Sequence, residues 1–101
     1  MTPQELEALW GEHIKDEFVT RDLDATLETM VEDAYVNHIP TMTGAAGKPA
    51  LRIFYGRDFI PCMPPDTKIT TVSRTIGTTQ GEAQLVDEMI FSFTQDRKSV
   101  V

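Results

Sequence analysis

The sequence predicts an α+β domain with helices in its first half and a long β-hairpin in its second. Three observations point there. Apolar residues recur at helical spacing over residues 3–20. Two runs rich in β-branched and aromatic residues, TKITTVSRTIGT (67–78) and EAQLVDEMIFSFT (82–94), flank Gly77-Thr78-Thr79-Gln80-Gly81, which is turn chemistry. At 101 residues, with 41% apolar and 25% charged residues, the chain has the size and balance of one soluble domain.

The first helix starts at Thr2-Pro3-Gln4-Glu5. Thr2 is the cap, Pro3 suits the first helical position, and Glu5 completes a capping box. Leu6, Leu9, Trp10, His13, Ile14 and Phe18 then form an apolar stripe. Glu5, Glu7, Glu12, Lys15 and Asp16 are expected mostly on the other side. Arg21-Asp22-Leu23-Asp24 breaks the pattern and offers two N-caps. Ala25, Leu27, Met30 and Val31 mark a second, shorter helix.

Ala34 to Ile39 alternates as a strand, which puts Tyr35 and Asn37 on one face and Val36 and His38 on the other. Gly44-Ala45-Ala46-Gly47 reads as a flexible loop. Lys48-Pro49 opens a third helix, with Leu51, Phe54, Tyr55, Asp58 and Phe59 on one face. Pro61, Pro64 and Pro65 end it. On the last strand Leu85, Asp87, Met89, Phe91 and Phe93 share one face and Val86, Glu88, Ile90 and Ser92 the other. Both faces carry apolar residues, so this strand is expected to be central and covered on both sides.

The totals exclude several classes of function. A formal net charge of −7 repels phosphate backbones, so nucleic acid is not an expected partner. No apolar run approaches the roughly 20 residues of a membrane helix, and no basic-then-apolar signal segment opens the chain. The single cysteine, Cys62, has no internal disulfide partner, which fits a cytoplasmic location. His13 and His38 lie on separate elements without HxH or HxxxH spacing, so neither a metal nor another cofactor is expected.

The stretch EDAYVNHIPTMTGAAG (32–47) concentrates polar groups where a strand runs into a loop, the usual place for a rigid frame to present them. His38 is a candidate base or hydrogen-bond donor, and Asn37 a candidate amide donor to a developing oxyanion. Either residue can equally serve the turn. Asp87 sits between Leu85, Met89 and Phe91. A carboxylate in apolar company needs a partner or a task, here either an ion pair to Arg74 across the hairpin or acid–base work. Tyr35 and Tyr55 are candidate pocket-lining phenols. Trp10 and Phe54 are core or pocket wall, and His13 lies on the apolar edge of its helix.

The order helix, helix, strand, helix, long hairpin resembles the NTF2-like superfamily, and within it the SnoaL-like group that includes polyketide cyclases. The resemblance covers nearly the whole chain and is carried by AYVNHIPTMTGAAGKPALRIFYGRDFI, PPDTKITTVSRTIG and LVDEMIFSFT. It implies three helices and a curved antiparallel sheet forming a cone around a pocket, with the first helix closing the mouth and the hairpin forming a wall. It also implies two further strands after the hairpin, where only residues 95–101 follow, so the cone is expected to be incomplete at that end. The same stretches resemble proteins labelled carboxymethylenebutenolidase or dienelactone hydrolase, although Gly-x-Ser-x-Gly, the α/β-hydrolase nucleophile elbow, does not occur.

Three functions follow from the resemblance and the residues together. The first is cofactor-free acid–base chemistry of the cyclase or isomerase kind on a small apolar or aromatic carbonyl compound. His38 or Asp87 would be the base, with Trp10, His13, Tyr35, Asn37, Phe54, Tyr55, Met89 and Phe91 around the ligand. The second is a non-catalytic ligand-binding or dimerisation module, with Val72, Ile76, Val86 and Ile90 as an apolar outer face for a homodimer. The third is lactone or epoxide hydrolysis by an activated water.

Overall fold

The computed structural model describes residues 1–39 and 42–94. It is an α+β structure with three helices and two antiparallel two-stranded sheets. In order, these are α1 (Pro3–Phe18), α2 (Leu23–Glu28), β1 (Tyr35–His38), β2 (Thr43–Ala46), α3 (Lys48–Ile53), a π-helical turn (Phe54–Phe59), β3 (Lys68–Thr79) and β4 (Glu82–Ser92). Two compact units divide them. One is Leu9–Cys62; the other is Met1–Ala8 together with the chain from Met63 onward. The expected polar tail and incomplete cone concern residues 95–101, outside the described residues.

In the Leu9–Cys62 unit, Leu27, Leu51, Phe54 and Tyr55 form the buried core. Leu23, Met30, Ala34, Val36, Ala45, Phe59 and Ile60 pack around it. The caps follow the sequence: Asp22 Oδ1 accepts the amide of Ala25 at 3.1 Å and starts α2. Residues 44–47, expected as a loop, are instead mostly strand. β2 pairs with β1 in the register Tyr35↔Ala46 to His38↔Thr43, because small residues let the two backbones approach closely. A Cβ on Gly44 would collide with the carbonyl oxygen of Val36.

The third helix changes winding partway. Ile60 donates its amide to the Tyr55 carbonyl at 2.9 Å, five residues back, which is π-helical geometry. In an α-helix, residues five apart lie about 140° apart around the axis. The wider turn brings Phe54 and Phe59 onto one side, where their rings stack with centroids 5.8 Å apart.

In the other unit, Thr2 caps α1 by accepting the Glu5 amide at 3.1 Å. The hairpin turn is tighter than the sequence suggested. β3 runs through Thr79, and Gln80-Gly81 alone make the corner, both with positive φ (55° and 80°). That is the two-residue turn whose twist matches the strands. A bulge at Val72 shifts the register, so that Ile69 pairs with Phe91 and, farther along, Ile76 pairs with Leu85. Ile76 is therefore on the Leu85–Asp87–Met89 face and not on the outer face with Val86 and Ile90. The outer face is open, with Val72 53%, Val86 69% and Ile90 54% exposed. Among the described residues β4 pairs only with β3, so the expectation of a central strand covered on both sides is not met.

Candidate functional site

The Leu9–Cys62 unit holds a buried polar cluster that the helical pattern hid. The residues of α1 that are buried are His13, Asp16 and Glu17, not its aliphatic positions. Asp16, expected on the solvent side, is 5% exposed and its Oδ1 accepts from the Thr20 hydroxyl at 3.3 Å. His13 and Glu17 are one turn apart and meet through His13 Nε2 and Glu17 Oε1. The other ring nitrogen, Nδ1, lies 2.6 Å from the Thr29 hydroxyl at the end of α2. That hydroxyl donates to the Thr26 carbonyl at 2.6 Å, which leaves its lone pairs to accept from His13 Nδ1–H. The chain of contacts thus runs from the Thr26 carbonyl through Thr29 and His13 to Glu17.

Aromatic rings enclose the imidazole. Trp10 stacks on His13 at 5.5 Å and 21°, and Tyr55 meets it edge-on at 6.3 Å. Phe54 packs edge-to-face on Tyr55 at 5.2 Å. Burial, and then the charge of Glu17, push the Tyr55 phenol well above its ordinary value, so it stays a neutral donor. Every sealed side-chain nitrogen and oxygen among the described residues has a hydrogen-bond partner.

The β1–β2 hairpin carries a second feature. A shallow depression of about 330 Å³ is lined by Asn37, His38, Ile39, Met42, Thr43 and Gly44. Strand alternation separates Asn37 from His38, yet both border this depression because it wraps the end of the short hairpin. His38 packs edge-on against Phe59 at 6.3 Å. The phenol of Tyr35, expected to line a pocket, is on a residue 71% exposed.

In the hairpin unit the Asp87 side chain is 1% exposed and binds Arg74 through both oxygens, at 3.3 Å to Nε and 3.1 Å to Nη2. The ion-pair reading of Asp87 therefore describes its surroundings. The bond to Asp87, foremost, holds the Arg74 guanidinium above its ordinary value. Arg74 also borders a depression of about 390 Å³ with Gln4, Glu7 and Ala8. Met89 is half-buried on the Asp87 face, while Phe91 is 47% exposed. His38 and Asp87 fall in different units, and neither depression is lined by both.

Compared with protein-family models, curated proteins and solved structures, the chain matches none. No group of three or more His, Cys, Asp or Glu among the described residues is placed to hold a metal ion. No helix among them is long and apolar enough to cross a membrane. Trp10, His13, Phe54 and Tyr55 of the sequence-derived ligand set come together in one unit. Glu17 and Thr29 were missed. The signal for Glu17 was its i,i+4 spacing from His13; nothing local marked Thr29.

Proposed function

We propose that this chain is a small-molecule-binding protein of the SnoaL-like, NTF2-like kind. In this reading it is cytoplasmic and performs acid–base chemistry without a cofactor on an apolar or aromatic carbonyl compound. The observation that carries the proposal is the juxtaposition of Asn37 and His38 at one depression. An imidazole can take a proton from the carbon beside a carbonyl, and an amide N–H can donate to the oxygen as charge develops there. The element order, with a short hairpin between α2 and α3 and a long one after, supports the cone.

The chemistry is tested by solvent-deuterium exchange into the methyl group of acetophenone, followed by proton NMR. The wild-type chain accelerates exchange over buffer, and His38→Ala lowers that acceleration by about a hundredfold, the usual worth of a positioned base. An unchanged rate in His38→Ala removes His38 from the role. A non-catalytic homodimer module is the second reading. It is favoured by exposed Val72, Val86 and Ile90 on the outer face of the β3–β4 sheet, and the oligomeric state in solution distinguishes it.

A further inference from the structure

We infer that Met42 is the specificity-determining residue of the hairpin depression: with Ile39 it forms the apolar wall that receives the substrate's ring while Asn37 and His38 face its carbonyl. This rests on the carbonyl reading above and names what selects an aromatic body over a bare ketone. The depression is divided by chemistry. Asn37, His38 and Thr43 bring its polar side chains, and Ile39 and Met42 its large apolar ones. Ile39 follows His38 and Met42 precedes Thr43, and His38 and Thr43 are the last pair of the β1–β2 register. The Met42 amide donates to the Ile39 carbonyl at 3.0 Å, which holds the two residues together just beyond that pair.

The backbone of Met42 is where the sequence breaks a local rule. Its φ is 55°, in the left-handed region, where a Cβ crowds the following carbonyl oxygen and glycine or asparagine is the usual occupant. Arg21 and Gln80, the other non-glycine residues with positive φ among the described residues, are polar. Met42 combines that conformation with an apolar side chain that is 85% exposed. Core packing does not account for a side chain so open, and asparagine would sit at this φ with less strain. Strained backbone of this kind gathers at ligand-binding positions. Ile39, 69% exposed at the same depression, likewise leaves apolar surface open. Methionine is unbranched and polarisable, so it moulds to an aromatic ring and makes a favourable sulfur–ring contact. Ile39 is β-branched and stiff, which gives the wall a fixed side. An aryl ketone matches this division, with its ring against Met42 and Ile39 and its carbonyl toward Asn37 and His38.

Three readouts on the full chain test this. One is the affinity for para-nitrophenol, a flat ring bearing an enolate-like oxygen, by calorimetry. The second is deuterium exchange into acetophenone relative to acetone, which has the carbonyl but no ring. The third is the urea midpoint. Met42→Asn weakens para-nitrophenol by about tenfold and lowers the acetophenone-to-acetone ratio of kcat/KM by about tenfold, the usual worth of one apolar contact in a pocket. It leaves the urea midpoint at the wild-type value or raises it, because asparagine adopts this φ readily. Met42→Leu, close in volume, retains both the affinity and the ratio. An unchanged ratio or an unchanged affinity in Met42→Asn overturns the inference. So does a lowered urea midpoint in that variant, which would make Met42 structural, and so does a wild-type chain that does not bind para-nitrophenol. If His38→Ala abolishes exchange of both ketones and Met42→Asn alters neither affinity nor ratio, the carbonyl reading stands and this inference falls. If the wild type exchanges neither ketone faster than buffer, yet Met42→Asn weakens para-nitrophenol, the carbonyl chemistry falls and the apolar wall stands.

Discussion

Glu17→Ala lowers the stability of the chain by about 1–3 kcal/mol, the cost of leaving a buried hydrogen-bonding group without its partner. The partner left behind is His13, whose side chain is 10% exposed and whose other nitrogen is already committed to Thr29. Little room exists for water to replace the carboxylate, because Trp10 and Tyr55 cover the ring. The companion result is the informative one. His13→Leu/Glu17→Met removes both polar partners and fills the space with aliphatic carbon, so its urea midpoint returns to the wild-type value or exceeds it. A double variant as unstable as Glu17→Ala would mean that the pair holds α1 in place by itself.

Leu51→Ala destabilises by about 2–5 kcal/mol, read from the same urea titration. Leu51 is fully buried, at 0% exposed, in the first turn of α3, and it sits in the core with Leu27, Phe54 and Tyr55. Its amide bonds to the Gly47 carbonyl at 2.9 Å, where the chain leaves β2 with a φ of 84°. Backbone and side chain therefore fix one another at this point, and a cavity here has little freedom to collapse. Ile53, two residues on and 54% exposed, provides the contrast: Ile53→Ala stays within about 0.5 kcal/mol of wild type.

The helices and the long hairpin were legible because their signals are local. Pro3 and Asp22 announce helix starts, and the 67–94 region is β-branched at strand spacing. What stayed hidden depends on partners distant in sequence or on one-residue shifts. Residues 43–46 look like a loop because glycine and alanine carry no strand signal, and only pairing with Tyr35–His38 makes them one. The bulge at Val72 moves Ile76 to the opposite face, which an alternation count cannot foresee. The π-turn, in which the Ile60 amide bonds to the Tyr55 carbonyl, leaves no mark in the spacing that already put Phe54 and Phe59 on one face. The candidate site was half legible for the same reason. His13, Trp10 and Tyr55 stood out by residue type, whereas Glu17 looked like one more surface acid until Thr29 and Tyr55 closed around its partner.

A structure of the full chain crystallised with para-nitrophenol tests where the chemistry lies. The phenol oxygen is expected within hydrogen-bond distance of Asn37 or His38, in the depression at the end of the β1–β2 hairpin. A phenol seated elsewhere, with Asn37 and His38 untouched, would contradict that placement.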